Sequence, residues 1–169
     1  MNAVRLLRAM QGYLTPLMAP DGVLSIASEP AEAMDRLAAQ APERWGVVLV
    51  WHGYGGPPDR DLDTWADHAF SAFVRVPTGL PAVPGDALIR QVTTAGTSVI
   101  ERIEWVSLAI RNIHFQSSDG QLDPRPPRLK HSQWVTKEDK RPLSIHELRF
   151  EYSAGLDMAQ TPARVDVPI

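Results

Sequence analysis

Several groups of residues in this chain have types and spacings that could do chemistry. Gly53, Gly55 and Gly56 follow a run of apolar residues, the place where phosphate-cradling loops sit. Such loops lead into a helix N-terminus and a Lys, Ser or Thr. Pro57 and Pro58 follow here instead, so a wide turn is expected. Asp59, Asp61 and Asp63 have the one-three-five spacing of a calcium loop, and Asp67 falls near its ninth position. Thr64 stands where that loop needs glycine and Phe70 where it needs a bidentate Glu, so an acidic solvated loop is the better reading. The histidines at 52, 68, 114, 131 and 146 show no zinc-binding spacing. His131 and His146 could meet across a hairpin, but zinc would still want a third ligand and usually a fourth. No Gly-x-Ser-x-Gly elbow accompanies a serine, so a triad hydrolase has no local support.

Composition narrows the classes further. The chain has 169 residues, enough to bury a core without staples, and a net charge of −3. That balance does not suit wholesale binding of nucleic acid. Cysteine is absent, which removes disulfides, thiol nucleophiles and thiolate metal sites. No apolar run approaches the roughly 20 residues that cross a bilayer, and no membrane partner is expected. Residues 1–18 carry Arg5 and Arg8 among spaced apolar residues, the pattern of an amphipathic helix rather than a secretion signal.

The elements that must position any site follow from periodicity. Val4, Leu7, Met10, Leu14 and Leu17 predict a helix over 3–15, stopped before Pro16. Ser28 and Pro30 open a second, with Met34, Leu37 and Ala38 inward and Pro42 at its end. Residues 45–51 form a continuous apolar, Val-rich run, suiting a strand covered on both faces. Residues 68–76 predict another, with Phe70, Ala72, Val74 and Val76 on one side and Ser71, Phe73 and Arg75 on the other. Residues 77–85 are rich in Pro and Gly, and Asp86 caps a short helix bearing Leu88, Ile89 and Val92. Ser98 with Glu101 has capping-box spacing, followed by the helical stripe Val99, Ile103, Val106, Ile110 and Ile113. Residues 108–115 also read as a strand.

After a polar, proline-rich stretch at 116–128, residues 129–138 and 143–153 predict a hairpin around Asp139-Lys140-Arg141-Pro142. In its second strand His146, Leu148, Phe150 and Tyr152 share a dry face, and Ile145, Glu147, Arg149 and Glu151 share a charged one. The expected fold is α+β: a mixed or antiparallel sheet of about four to five strands, flanked by two to four helices and joined by long Pro/Gly-rich loops. One domain is expected over 1–153, with an extended tail over 154–169.

Two further surfaces could recognise partners. Pro124, Pro127 and Arg128 mimic a PxxP ligand, though a stiff connector explains them as well. Arg125, Arg128, Lys130, Lys137, Lys140 and Arg141 make this region the most basic in the chain, suited to an acidic protein surface. Trp45 and Trp51 fit the core, whereas Trp65 and Trp134 could also anchor an interface.

This order of elements resembles the tail terminator, or tail completion, proteins of tailed bacteriophages, and in part their neck proteins. The resemblance rests on the helix at 4–14, the strands at 45–51 and 68–76, the capped helix at 98–113 and the hairpin ending in His146-Glu147-Leu148-Arg149-Phe150-Glu151-Tyr152. It implies a structural virion protein without catalytic residues, metal or cofactor. Such a protein forms a sixfold ring that caps the tail tube, ends its polymerisation and joins tail tube or sheath to the head connector. It would reside at the tail–head junction of the virion, and in the host cytoplasm during assembly. The contact surfaces expected on that reading are Glu147, Arg149 and Glu151; Arg125, Arg128, Lys137, Lys140 and Arg141; and Val165, Val167 and Ile169 of the tail. The alternatives are another minor tail or head-completion protein, a small metal- or nucleotide-dependent enzyme using residues 53–67, and a monomeric adaptor acting through residues 124–128.

Overall fold

A computed structural model describes residues 3–41, 44–55, 65–77, 98–115, 125–135 and 143–155. Along the chain run α1 (Ala3–Met18), β1 (Gly22–Ala27), α2 (Pro30–Ala38), β2 (Trp45–Gly55), β3 (Trp65–Pro77), α3 (Val99–Arg111), β4 (Arg128–Trp134) and β5 (Leu143–Gly155). The strands form one sheet in the order β1-β2-β3-β5-β4. β1 is parallel to β2, with α2 as the crossover that a parallel pair requires, and all other pairs are antiparallel. The fold is therefore α+β with a mixed five-stranded sheet and three helices.

Strand periodicity explains why the two faces take different helices. Val47, Leu49, Phe70, Ala72, Val74, Leu148 and Phe150 point to the face covered by α1 and α3, where Leu6, Met10, Leu14, Val99, Val106 and Ile110 complete the main core. Phe70 and Phe150 stack with centroids 5.4 Å apart. Val48, Val50, Phe73 and Ile145 point the other way and form a smaller core with Ala33 and Leu37 of α2. The run at 45–50 is thus dry on both sides, as its composition predicts, and Trp51 is half-buried. Trp45 is buried, edge-on to Trp105 at 5.8 Å and beneath the Arg102 guanidinium. Trp51 is half-buried against the main core and Trp134 is exposed.

Several local expectations need correction. α1 continues through Pro16 to Met18; the backbone bond that Pro16 forfeits belongs to Gly12, on the exposed side of the helix. β1 is an element that the periodicity does not predict. The N-cap of α2 is Glu29 rather than Ser28, whose N–H and hydroxyl instead both donate to Glu32 at 2.7 Å. Residues 108–111 are helical, because the stripe begun at Val99 runs on to Ile110. The Ser98–Glu101 capping box forms as its spacing predicts.

Arg75 is buried and serves α2. Its guanidinium donates to the carbonyls of Leu37 at 2.7 Å and Gln40 at 3.0 Å, placing a cation at the helix C-terminus where the macrodipole favours one.

Candidate functional site

The strongest polar arrangement lies on the α2 side of the sheet, beside the smaller core. Pairing register brings together His52 of β2, Ser71 of β3, Glu147 of β5 and Gln133 of β4. The Ser71 hydroxyl donates to Glu147 Oε1 at 2.6 Å, and Gln133 Nε2 donates to Glu147 Oε2 at 2.8 Å. His52 Nε2 lies 2.6 Å from the Ser71 hydroxyl and 3.8 Å from Glu147 Oε1. His131 extends the row through Gln133 Oε1 at 3.0 Å. Four adjacent strands are thus joined by side chains as well as by backbone.

The electrostatics follow from this geometry. Burial alone would raise the Glu147 carboxyl. The donors Ser71 and Gln133, with the charges of Arg149 and His52, overcome that and hold it below the ordinary carboxylate range. Burial pushes His52 below the ordinary imidazole value; Arg149 adds to that and Glu147 opposes it. His146 is lowered chiefly by burial, with Glu147 opposing and His131 adding.

A hydroxyl, an imidazole and a carboxylate invite comparison with a hydrolytic triad. In a triad the imidazole stands between the other two and takes the hydroxyl proton. Here the hydroxyl stands in the middle. Its proton is committed to Glu147, so His52 Nε2 must donate to the Ser71 oxygen rather than accept from it. Ser71 is also completely buried. The arrangement clasps strands and does not deliver a nucleophile.

Other expected site residues disperse. His131 and His146 do not meet, because they project from opposite faces of the hairpin. His146 pairs with the Ser132 hydroxyl at 2.6 Å and packs edge-on against Trp134. Asp67 accepts a hydrogen bond from the Ser153 hydroxyl. Among the described residues no group of three His, Asp or Glu side chains could hold a metal ion, and no helix is long and apolar enough to cross a membrane. Residues 56–64, which include Gly56, Asp59, Asp61 and Asp63, lie outside the described residues.

The expected contact surface is divided in the same way. Glu147 departs from the charged-face reading: it is 7 % exposed and held inside the polar row. Arg149 is exposed, and Glu151 is half-buried and pairs with Lys130 at 2.9 Å. Arg128 is exposed and Arg125 half-buried. Lys137, Lys140, Arg141, Val165, Val167, Ile169 and Pro124 of the PxxP pattern fall outside the described residues.

β4 itself is the most accessible element, with all seven residues exposed. It closes one end of the sheet order, so one edge faces β5 and the other has no strand partner among the described residues. At its start an open hollow of about 320 Å³ is lined by Arg111, Pro126, Pro127, Arg128 and Leu129. No protein-family model matches the chain, and no curated protein matches it in sequence.

Proposed function

We propose that this chain is a structural virion protein of the tail-terminator kind, assembling as a closed ring, six copies in the family it resembles. On this reading it caps the tail tube, ends tube growth and docks on the head connector at the tail–head junction. One observation carries the reading: β4 is exposed along its whole length at the end of an otherwise well-covered sheet. An exposed strand edge is a template for pairing with another chain, and a closed ring consumes such edges. Two features lend support. The order α1, β2, β3, α3 and the β4–β5 hairpin matches the order on which the resemblance rests. The best polar cluster is spent on joining strands.

The test is the native mass of the full chain, with negative-stain images of the same sample. A uniform ring is the expected result. A monomer at every concentration overturns the proposal. Thermal stabilisation by magnesium, calcium or a nucleotide would instead favour the enzyme reading, since a ligand that binds only the folded state raises its stability.

A further inference from the structure

Among the described residues the outer edge of β4 has no strand partner, and the direction of its backbone groups can be worked out. The Val135 N–H donates to the Ile145 carbonyl at 3.0 Å, so Val135, Gln133 and His131 direct their backbone groups toward β5. Alternation then turns the N–H and C=O of Ser132 and Trp134 outward. Their side chains lie on the face opposite Gln133, the same face as Leu129, and Trp134 is 38 % and Leu129 36 % exposed. Apolar residues on that face of an added strand would cover Trp134 and Leu129.

Residues 165–169, Val-Asp-Val-Pro-Ile, meet that requirement with one constraint. Pro168 has no N–H and is tolerated only where its nitrogen points away from the ladder. That condition turns Asp166 and Pro168 outward and directs the backbone of Val165, Val167 and Ile169 to the ladder. In an antiparallel pair, residues directly opposite share a face. The same choice therefore sets Val167 against Ser132, Val165 beside Trp134 and Ile169 toward the hollow lined by Pro126, Pro127 and Leu129. Asp166 falls on the face bearing Lys130, His131 and Arg149. With Pro168 on the new outer edge, the sheet would take no further strand there.

We propose that residues 165–169 of a second copy of this chain add as an antiparallel strand to the outer edge of β4. Chain length favours a second copy over the same one. Gly155 lies beyond the Arg128 end of β4, and Trp134 is level with His146. Returning from 155 to that level spans about 30 Å at the strand rise, before two strands are crossed. Residues 156–164 reach at most about 36 Å fully extended, which leaves almost nothing for the reversal and the crossing. A neighbouring copy meets no such limit. The contact is head-to-tail, as a ring requires. This inference rests on the ring reading above and supplies its contact.

The chain contains no cysteine, so introduced thiols report without background. Gln133 and Asp166 fall opposite each other as a non-hydrogen-bonded pair, where Cβ atoms come closest. Gln133→Cys and Asp166→Cys are made as separate full-length proteins, mixed, and oxidised. A disulfide-linked dimer well above that of either variant alone is expected, together with loss of the ring when residues 162–169 are deleted. No excess dimer, or a ring that survives the deletion, overturns this inference while leaving the ring reading in place. A full-length chain that never forms a ring overturns both.

Discussion

The Ser71 hydroxyl donates to the buried Glu147 carboxylate across adjacent strands, from a residue 76 positions away in sequence, at 2.6 Å. This bond is the centre of the side-chain clasp and should be measurable. Ser71→Ala removes one of the two donors that stabilise the carboxylate. Loss of a hydrogen bond to a buried group costs about 1–3 kcal/mol, so the urea midpoint should fall accordingly. Glu147 should also protonate more readily, so less of the variant's stability depends on its ionisation and the gap from the parent should narrow as pH falls. An unchanged midpoint would show that the clasp contributes no stability.

Acid should act on this fold in two stages. The folded-state values of His52 and His146 lie below the ordinary imidazole value of 6.5. A depressed folded value means that stability is fully present above the unfolded value and is lost as pH falls below it. Glu147 repeats the pattern lower down, below its ordinary 4.5. Denaturant midpoints should therefore decline between about pH 7 and pH 5, and again more acid than that. The double variant His52→Gln/His146→Gln should lose much of the first decline. Equal slopes for parent and variant would count against this account.

Arg75 offers a prediction about helix anchoring. Arg75→Met keeps most of the aliphatic volume but leaves the carbonyls of Leu37 and Gln40 without these two charge-assisted bonds. Destabilisation of about 2 kcal/mol or more is expected, with faster amide exchange concentrated in α2. Arg75→Lys should recover only part of this, because the shorter side chain holds its ammonium back from the Nη1 position that makes both bonds.

Two glycines should respond in opposite directions to alanine. A Cβ at Gly22 would sit 2.7 Å from two ring atoms of Trp45 and 2.9 Å from the Met18 Cβ. Overpacking of that kind costs about 1–3 kcal/mol. Gly12 lies inside α1 with nothing within 4 Å of an added Cβ, so Gly12→Ala should stabilise by about 0.5–1 kcal/mol. Thermal melts of the two variants provide the comparison.

The capping box at the start of α3 is a smaller test. Ser98→Ala removes the oxygen that accepts from the Glu101 N–H at 3.1 Å and should cost about 0.5–2 kcal/mol. The Glu101 carboxylate, held low by bonds from the Ser98 backbone and side chain, should move back toward its ordinary value.

Those bonds also illustrate what could be read from the sequence. The box at Ser98–Glu101 and the alternation through β3 and β5 are local patterns, and each produced its element. β1 is hard to read because Val23-Leu24-Ser25-Ile26 is too short to separate one period from another, and five of its six residues are only half-buried. The charged face of β5 was half legible. Arg149 faces solvent, but Glu147 falls opposite Phe73 and within reach of Ser71, which depends on a register no single segment contains. The polar row is illegible in sequence for the same reason, since its members lie on four separate strands. The available signal was the isolated Ser71 between Phe70 and Phe73, a polar residue on a face that should be dry.

The position of β5 in the sheet has a kinetic consequence. It lies between β3 and β4, yet no pair of β3–β5 partners is closer in sequence than Pro77 and Leu143. Loop-closure entropy across that gap must be met before the pairing can reward it, which favours slow folding over rapid local collapse. An N-terminal fragment ending before Leu143 retains β1, β2 and β3 but leaves the apolar length of β3 with an open flank. Such fragments should be recovered as aggregates, whereas the chain extended through Gly155 should refold in one cooperative step.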